Sequence, residues 1–166
     1  MKVFGVVGWK NNGKTGLMER LVAEISGRGF TVSTIKHAHH RFDVDHQGKD
    51  SFRHREAGAY EVLLASRNRW ALMHETRDEP EATLADLLGQ MAPVDLVLIE
   101  GYKRDDHPKI EAHRTATEQP LIAVEDANIV AVASDAPHVG LSQPVFGLDN
   151  TGEIADFIVG YLELQR

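Results

Sequence analysis

The sequence predicts an α/β fold in which a mostly parallel sheet is flanked by helices, and two observations carry that prediction. The first is a strand–loop–helix–strand succession: residues 3–7 are apolar, residues 14–27 have helical periodicity, and residues 31–36 are rich in β-branched side chains. Such a βαβ unit places its strands in parallel. The second is residues 95–101, whose apolar run is typical of a strand buried on both faces of a parallel sheet.

The helix predicted at residues 14–27 is amphipathic, because its apolar side chains recur at helical spacing while charged side chains fall elsewhere. Gly27 and Gly29 end the pattern. Its apolar face consists of Leu17, Met18, Leu21, Val22 and Ile25.

The remaining elements follow from the same patterns. We expect short helices at residues 52–59 and 83–91, and a closing amphipathic helix at residues 152–164. Residues 60–66 and 70–74 are predicted to be two strands joined by a short turn, and residues 121–124 and 129–133 to be two further strands. No linker or repeat divides the chain, so we predict one nucleotide-binding domain over residues 1–166 with a β-hairpin inserted at residues 60–75.

Composition excludes several kinds of protein. The 166 residues contain no cysteine, which excludes disulfides and thiolate metal sites. The formal net charge of −7 makes the chain a poor general binder of nucleic acid, so any phosphate site must be local. Residues 1–8 do not resemble a signal peptide, and no apolar run is long enough to cross a membrane. The expected location is the cytoplasm.

Residues 8–15, Gly-Trp-Lys-Asn-Asn-Gly-Lys-Thr, match in full the phosphate-binding loop (P-loop) pattern Gly-x-x-x-x-Gly-Lys-Ser/Thr. Glycines let such a loop curl so that its amides point at the phosphates, the lysine reaches the β- and γ-phosphates, and the hydroxyl ligates Mg²⁺. The motif lies between a predicted strand and a predicted helix, which favours a P-loop NTPase-like fold. Gly16 stands where many P-loops have a second threonine. A glycine there lowers the stability of the helix by about 1 kcal/mol at most, because its helix propensity is low. The predicted nucleotide-binding residues are Gly8, Lys10, Asn11, Asn12, Gly13, Lys14, Thr15 and Gly16.

Glu100 stands at the C-terminal end of the strand predicted at residues 95–101. Ligands gather at the carboxyl ends of parallel strands, so we expect Glu100 near the Mg²⁺ and the γ-phosphate. There it would hold a metal-bound water or orient the attacking one, which makes it the candidate catalytic residue. Asp45 and Asp50 are further candidate Mg²⁺ ligands alongside Thr15.

The polar segment at residues 37–51 is too long for a simple connection, which indicates a functional loop at the same sheet edge as the P-loop. Its histidines admit a zinc or nickel site, but His37, His39 and His40 do not all point one way from a strand. Ordinary solvated loop residues are the alternative. The residues predicted to face a second anionic ligand or a partner are His37, His39, Lys49, Arg53 and Lys103.

Five blocks of sequence carry a resemblance to a known family. They are residues 8–15, 34–37, 42–45 together with 48–51, 53–59 and 98–103. Together they resemble the MobB family, the molybdopterin-guanine dinucleotide biosynthesis adapter proteins, from residue 1 to about residue 135. The P-loop alone is unspecific, whereas few other P-loop families join the blocks between residues 36 and 59 in that order.

The resemblance implies a homodimeric GTP-binding adapter that binds Mg²⁺ and GTP and assists a separate molybdopterin guanylyltransferase. Molybdopterin itself is a candidate further ligand. At most, weak GTPase activity is implied. Guanine selectivity has no Asn-Lys-x-Asp motif to support it, so Asp135 is the candidate, with a simple turn aspartate as the alternative. Rival functions are an ATP-using small-molecule kinase or ligase, a GTP-dependent metal chaperone, and a pure interaction module.

Overall fold

The computed structural model describes residues 1–38, 42–138 and 140–165, and the chain folds into two compact units. The first unit comprises Met1–His37 and Ala92–Arg166, and the second comprises Ala38–Met91. The P-loop and Glu100 belong to the first unit, whereas Asp45 and Asp50 belong to the second.

A six-stranded sheet forms the framework of the first unit. Its strands are β1 (Lys2–Val7), β2 (Val32–Lys36), β5 (Leu96–Glu100), β6 (Lys109–His113), β7 (Ile129–Ser134) and β8 (Val145–Gly147). They lie in the order β2-β5-β1-β6-β7-β8, and every neighbouring pair is parallel, which confirms the predicted fold class. Because β1 lies in the middle of the sheet, its carboxyl end is flanked by the carboxyl ends of β5 and β6.

Two helices of this unit, α1 (Lys14–Gly27) and α4 (Thr151–Tyr161), pack against each other and against the sheet. The predicted periodicity of α1 is confirmed, since Leu17, Leu21 and Ile25 are completely buried. The helix ends where the backbone turns at Gly29, which has φ +91°. The P-loop is thereby held between a central strand and a well-packed helix.

The prediction of a strand at residues 121–124 is wrong. Residues Ile122–Val124 form a 3-10 turn, as do residues Thr115–Thr117. The buried carboxylate of Glu111 accepts hydrogen bonds from Ile122 N (3.0 Å) and Ala123 N (2.8 Å), and so takes the amides that a strand would pair with its neighbour. The apolar character of the segment reflects burial of Ala123, which packs with Ile129 and Val132.

Two strands, β6 and β8, were not predicted. β8 is a three-residue edge strand, too short to leave a periodic pattern. β6 has the sequence Lys-Ile-Glu-Ala-His, which looks half-exposed, yet all five of its residues are buried.

The second unit contains α2 (Asp50–Glu56), a two-stranded antiparallel hairpin of β3 (Glu61–Ala65) and β4 (Trp70–His74), and α3 (Leu84–Gly89). The hairpin matches the predicted pair of strands. Thr83 caps α3 through a capping box with Asp86. On the hairpin, Val62 and Met73 form a buried cross-strand pair, while Leu63 and Leu72 form an exposed one. Within the described ranges, no helix is long and apolar enough to cross a membrane.

Candidate nucleotide site

The P-loop occupies residues 8–15, between the carboxyl end of β1 and the first turn of α1. Gly8 has φ +143°, and a Cβ there would lie 2.3 Å from the carbonyl oxygen of Ala112. Gly8 therefore lets the loop pass directly against β6. Asn11 and Gly13 also adopt left-handed backbone angles, with φ +68° and +87°, which gives the loop the curvature that the motif predicts.

The side chain of Asn12 anchors the P-loop to the segment after β6. Asn12 is completely buried, and its Oδ1 accepts hydrogen bonds from Thr117 Oγ1 (2.7 Å) and Arg114 N (3.4 Å). A second anchor is Trp9, whose indole Nε1 donates to the carbonyl of Pro120 at 2.8 Å. Asn12 thus has a structural role in shaping the loop, which the motif alone does not reveal.

Lys14 lies at the start of α1, and its Nζ donates to the carbonyl oxygen of Trp9 at 2.8 Å. Burial lowers the pKa of Lys14, the charge of Glu100 opposes that effect, and the charges of Lys103 and Lys36 add to it. A phosphate placed here would favour the charged lysine, because an adjacent anion stabilises an ammonium. Gly16 follows without crowding, since a Cβ there would meet only Arg20 Nη1 at 3.4 Å.

Glu100 ends β5 at the same edge of the sheet, as predicted. Its Oε1 lies 3.3 Å from Thr15 Oγ1 and 3.3 Å from Lys36 Nζ, and its side chain is 12% exposed. A threonine hydroxyl and a carboxylate are ligand types that suit Mg²⁺, so the donor set fits this ion. Of the predicted site residues, the structure brings together Thr15, Lys14, Glu100 and Lys103.

Lys36, Trp9 and Lys103 complete this corner of the site. Lys103 Nζ lies 4.2 Å from the centroid of the Trp9 ring, a cation–π contact. Burial lowers the pKa of Lys103, while the charge of Glu111 raises it. Lys36 is not among the site residues predicted from the sequence. It ends a parallel strand just as Glu100 does, so the rule that ligands gather at the carboxyl ends of parallel strands applies equally to Lys36.

An open pocket of about 640 Å³ adjoins the P-loop on the β6 side. Lys10, which is exposed, belongs to its wall, so the second lysine of the motif faces this pocket. The lining residues are Trp9, Lys10, Asn11, Arg114, Ala116, Thr117 and Gln119.

Asp135 follows β7 and is exposed, but its Oδ1 accepts hydrogen bonds from Thr115 N (2.9 Å) and Thr115 Oγ1 (3.2 Å). These hydrogen bonds lower the pKa of Asp135. The contact ties the ends of β6 and β7 together, which is what a turn aspartate does. Its role toward guanine stays a prediction.

In the second unit, the carboxylate of Asp45 is buried and paired with Arg55, whose Nη2 lies 2.6 Å from Asp45 Oδ1. Arg55 also contacts Asp43 (3.3 Å) and Glu75 (3.1 Å). The hydrogen bond from Arg55 lowers the pKa of Asp45. This ion-pair network holds the segment after residue 42 against α2 and β4, and it gives Asp45 a structural role whatever else the residue does.

The other predicted ligand residues belong to different elements of the chain. Lys49, Asp50 and Arg53 lie exposed at the start of α2, where Asp50 Oδ1 lies 3.9 Å from Arg53 Nη1. The amide of His37 donates to the carbonyl of Glu100 at 2.9 Å. His39 and His40 lie outside the described residues. Among the residues that are described, no group of three His, Cys, Asp or Glu side chains is arranged to hold a metal ion.

Comparison with known proteins identifies the family. The family model described as "Molybdopterin guanine dinucleotide synthesis protein B", MobB, matches residues 3–135. The molybdopterin-guanine dinucleotide biosynthesis adapter protein of Escherichia coli (strain K12) is 40% identical over 161 residues, which cover 95% of this chain and 91% of that protein. The adapter protein of the same name from Haemophilus influenzae is 40% identical over 163 residues, covering 96% and 89%.

Solved structures agree with the sequence comparison. The crystal structure of a MobB protein homologue from Bacillus stearothermophilus has a TM-score of 0.72 and 32% identity, and covers 99% of this chain and 100% of that one. The crystal structure of Bacillus subtilis MobB has a TM-score of 0.76 and 26% identity, with 98% of each chain covered. With its parallel sheet and this similarity along nearly its whole length, the chain belongs to the MobB family.

Proposed function

We propose that this chain binds Mg²⁺–GTP at its P-loop and serves as an adapter in molybdopterin-guanine dinucleotide biosynthesis, assisting a separate molybdopterin guanylyltransferase. Membership of the MobB family supports the pathway. The observation that carries the nucleotide site is the meeting of Thr15 Oγ1 and Glu100 Oε1, 3.3 Å apart, beside Lys14 at the mouth of the P-loop. Hydroxyl, carboxylate and ammonium are the groups that bind a metal-complexed phosphate.

Different residues of the site would bind the phosphates and the metal ion. The amides of residues 9–13 and the N-terminus of α1 would bind the β-phosphate, and Lys14, whose Nζ now donates to the carbonyl of Trp9, would donate to phosphate oxygens. Thr15 and Glu100 would hold the Mg²⁺, directly or through water. A Mg²⁺ ion held there would offset the charge of the phosphates.

Slow hydrolysis follows from the position of Glu100. In the proposed complex Glu100 holds the Mg²⁺ beside Thr15, so its carboxylate is engaged in holding charge rather than in taking a proton from water. Any GTPase activity is therefore expected to be weak. Lys10 and Arg114, which line the pocket beside the P-loop, are available to the ribose or base of the nucleotide.

Binding measurements test the nucleotide site. Calorimetric titration with GTP and ATP in the presence of Mg²⁺ is expected to show tighter binding of GTP, and Lys14→Ala is expected to abolish binding of both. A preference for ATP would contradict the guanine assignment and favour a kinase or ligase. Asp135→Asn then tests whether Asp135 reads the base: its loss of affinity should be confined to GTP, and an equal loss for both nucleotides would leave Asp135 as a turn residue.

The adapter role needs a partner test. Coexpression of this chain with a molybdopterin guanylyltransferase is expected to give copurification and to increase formation of the dinucleotide. If the two proteins neither associate nor affect each other's activity, only nucleotide binding remains of the proposal. The candidates for contact with molybdopterin or with the transferase are His37, His39, Lys49, Arg53 and Lys103.

The proposed homodimer places two copies of the hairpin together. One face of the hairpin exposes Leu63 (60%), Leu72 (45%) and Trp70 (69%), and the first two are a cross-strand pair. An apolar face of this kind favours association with an identical copy. Leu72→Asp is expected to give monomers in light scattering, whereas Arg67→Asp, in the turn between the strands, should leave the mass unchanged. A dimeric Leu72→Asp variant would contradict this placement.

A further inference from the structure

A second pocket, of about 750 Å³, lies within the second unit. Two aromatic side chains belong to its wall, Phe42 from the segment before α2 and Phe52 from α2 itself. Phe42 is 73% exposed, and Val44, which also lines the pocket, is 63% exposed. Aromatic and aliphatic side chains left in solvent around a cavity of this volume are typical of a small-molecule site.

Arg55 fixes the wall of this pocket through ion pairs. Its Nη2 lies 2.6 Å from Asp45 Oδ1 and 3.3 Å from Asp43 Oδ1, and its Nη1 lies 3.1 Å from Glu75 Oε1. The guanidinium carbon of Arg55 also lies 5.2 Å from the centroid of the Phe52 ring, a cation–π contact. These contacts tie the segment before α2 to α2 and β4, so the wall is formed without a ligand.

Glu56 is the polar group of the wall that a ligand can use. Asp43 and Glu75 also line the pocket, but both accept hydrogen bonds from Arg55. The carboxylate of Glu56 has no hydrogen bond or ion pair with any residue that the structure describes. Glu56 follows Phe52 by four residues on α2, so the two side chains share one face of the helix. A carboxylate in this position can accept two parallel N–H hydrogen bonds.

The charges around this pocket do not suit a phosphate. The cations of the wall already have partners: Arg55 has its three carboxylates, His74 Nδ1 lies 3.0 Å from Glu61, and Arg77 donates to the carbonyl of Ala59 at 3.0 Å. An anion would instead meet the three carboxylates of the wall, which are Asp43, Glu56 and Glu75.

The pocket beside the P-loop has the opposite character. Its wall contains Lys10 and Arg114 and, among the described residues, no carboxylate. The two pockets therefore select different chemistry. The second pocket fits a flat ring that packs against aromatic side chains and presents neighbouring N–H donors to Glu56.

We propose that the pocket of the second unit binds a fused heteroaromatic ring with a 2-amino-4-oxo edge, the group that pterins and guanine share. Glu56 accepts hydrogen bonds from the ring N–H and the 2-amino group, and Phe42 and Phe52 pack against the ring. The choice of pterin as the first ligand to test rests on the proposed pathway role, whereas the pocket itself does not depend on nucleotide binding.

Two ring compounds and two variants test the proposal. Pterin is titrated into the wild type, Glu56→Gln and Phe42→Ala with fluorescence detection, and so is lumazine, in which an oxo group replaces the 2-amino group. Pterin is expected to bind the wild type more tightly than lumazine does, because the oxo group of lumazine faces the carboxylate. Glu56→Gln is expected to weaken pterin binding about tenfold, the effect of losing a charge-assisted hydrogen bond, and lumazine binding by less than about twofold.

Phe42→Ala tests the aromatic wall. It is expected to weaken binding of pterin and lumazine alike, about tenfold, because both rings lose the same packing. The exposed position of Phe42 means that the fold should tolerate the change. Guanosine, titrated in parallel, separates the two sources of the edge: tighter binding of pterin assigns the pocket to a pterin, and tighter binding of guanosine assigns it to a guanine base.

Glu19→Gln is the matched control, since it makes the same chemical change at an exposed position on α1 of the first unit. It should leave the affinity for pterin unchanged. Lys14→Ala, which is expected to abolish GTP binding, should also bind pterin as the wild type does, because Lys14 belongs to the first unit.

The outcomes separate this inference from the proposed function. If the wild type binds neither pterin nor guanosine at this pocket, or if Glu56→Gln and Phe42→Ala bind pterin as tightly as the wild type does, the inference is wrong and the nucleotide site is unaffected. If Lys14→Ala loses pterin together with GTP, the ring lies at the P-loop and the inference is wrong. Pterin binding that depends on Glu56 in a chain that fails to bind GTP would contradict the nucleotide site and support the inference.

Discussion

Strands β5 and β6 lie on either side of β1, and both are buried, but they are buried by opposite means. Leu96, Val97, Leu98 and Ile99 of β5 are completely inaccessible and apolar on both faces of the sheet. β6 is apolar on one face only, where Ile110 and Ala112 join the core beneath α1 and α4. Its other face is polar and nevertheless buried.

The polar face of β6 is satisfied by the segment that follows it. Lys109 Nζ pairs with Asp126 at 3.1 Å, and both carboxylate oxygens of Glu111 accept backbone amides from the 3-10 turn Ile122–Val124. His113 Nε2 lies 3.2 Å from the carbonyl of Gln119, so this nitrogen carries the proton, because a carbonyl oxygen can only accept. These contacts fix the wall of the pocket beside the P-loop. The side chains of β5 are buried because they are apolar. The polar side chains of β6 are buried because each has a hydrogen-bond or ion-pair partner.

Glu111→Ala is expected to have the largest effect. It leaves the amides of Ile122 and Ala123 buried without an acceptor and opens a cavity, which should lower the free energy of unfolding by about 3 kcal/mol or more. Urea denaturation measures the change. Glu19→Ala, on the exposed side of α1, is the control and should change stability by less than about 0.5 kcal/mol. If the two variants are equally stable, the hydrogen-bonding account of β6 is wrong.

Lys109→Met is expected to lower the free energy of unfolding by less, about 2 kcal/mol. The carboxylate of Asp126 stays partly in contact with solvent and still accepts the hydrogen bond from the amide of Asn128. Burial raises the pKa of Asp126, but hydrogen bonds from Asn128 and Lys109 outweigh it, and the net pKa is lowered below 3.8. A lowered pKa means that this contribution is complete above about pH 4 and is lost as the pH falls through the folded-state value. Unfolding at a series of pH values between about 2 and 6 should therefore show a shallower acid loss in Lys109→Met than in the wild type. An unchanged acid slope would show that Lys109 does not set the pKa of Asp126.

Ile99→Val in β5 should have the smallest effect, about 1 kcal/mol, since it removes one buried methylene without exposing any polar group. The same urea series measures it. If Ile99→Val lowers the free energy of unfolding as much as Glu111→Ala does, the two strands do not differ in their sensitivity to substitution. Together the three variants test whether β6 depends on partners and β5 only on packing.

The difference between the strands also explains what could be predicted. β5 was found with its bounds correct to within one residue, and so was the position of Glu100, because apolar composition is a local signal. β6 was missed because its lysine, glutamate and histidine indicate exposure until their partners are known. The apolar residues 121–124 predict a strand for a similar reason, since only the contact with Glu111 shows where their amides are bonded.

The sequence by itself determined the P-loop, the βαβ start and the hairpin, since each depends on residues close together in the chain and on the backbone angles that glycine permits. Tertiary structure decided the rest. Asn12 anchors the loop because it accepts a hydrogen bond from Thr117. Asp45 forms an ion pair with Arg55. Lys36 contacts Glu100 because β2 pairs with β5. Such contacts join residues that are far apart in the chain, and local preferences for helix, strand or turn carry no information about which partner a buried charge will meet.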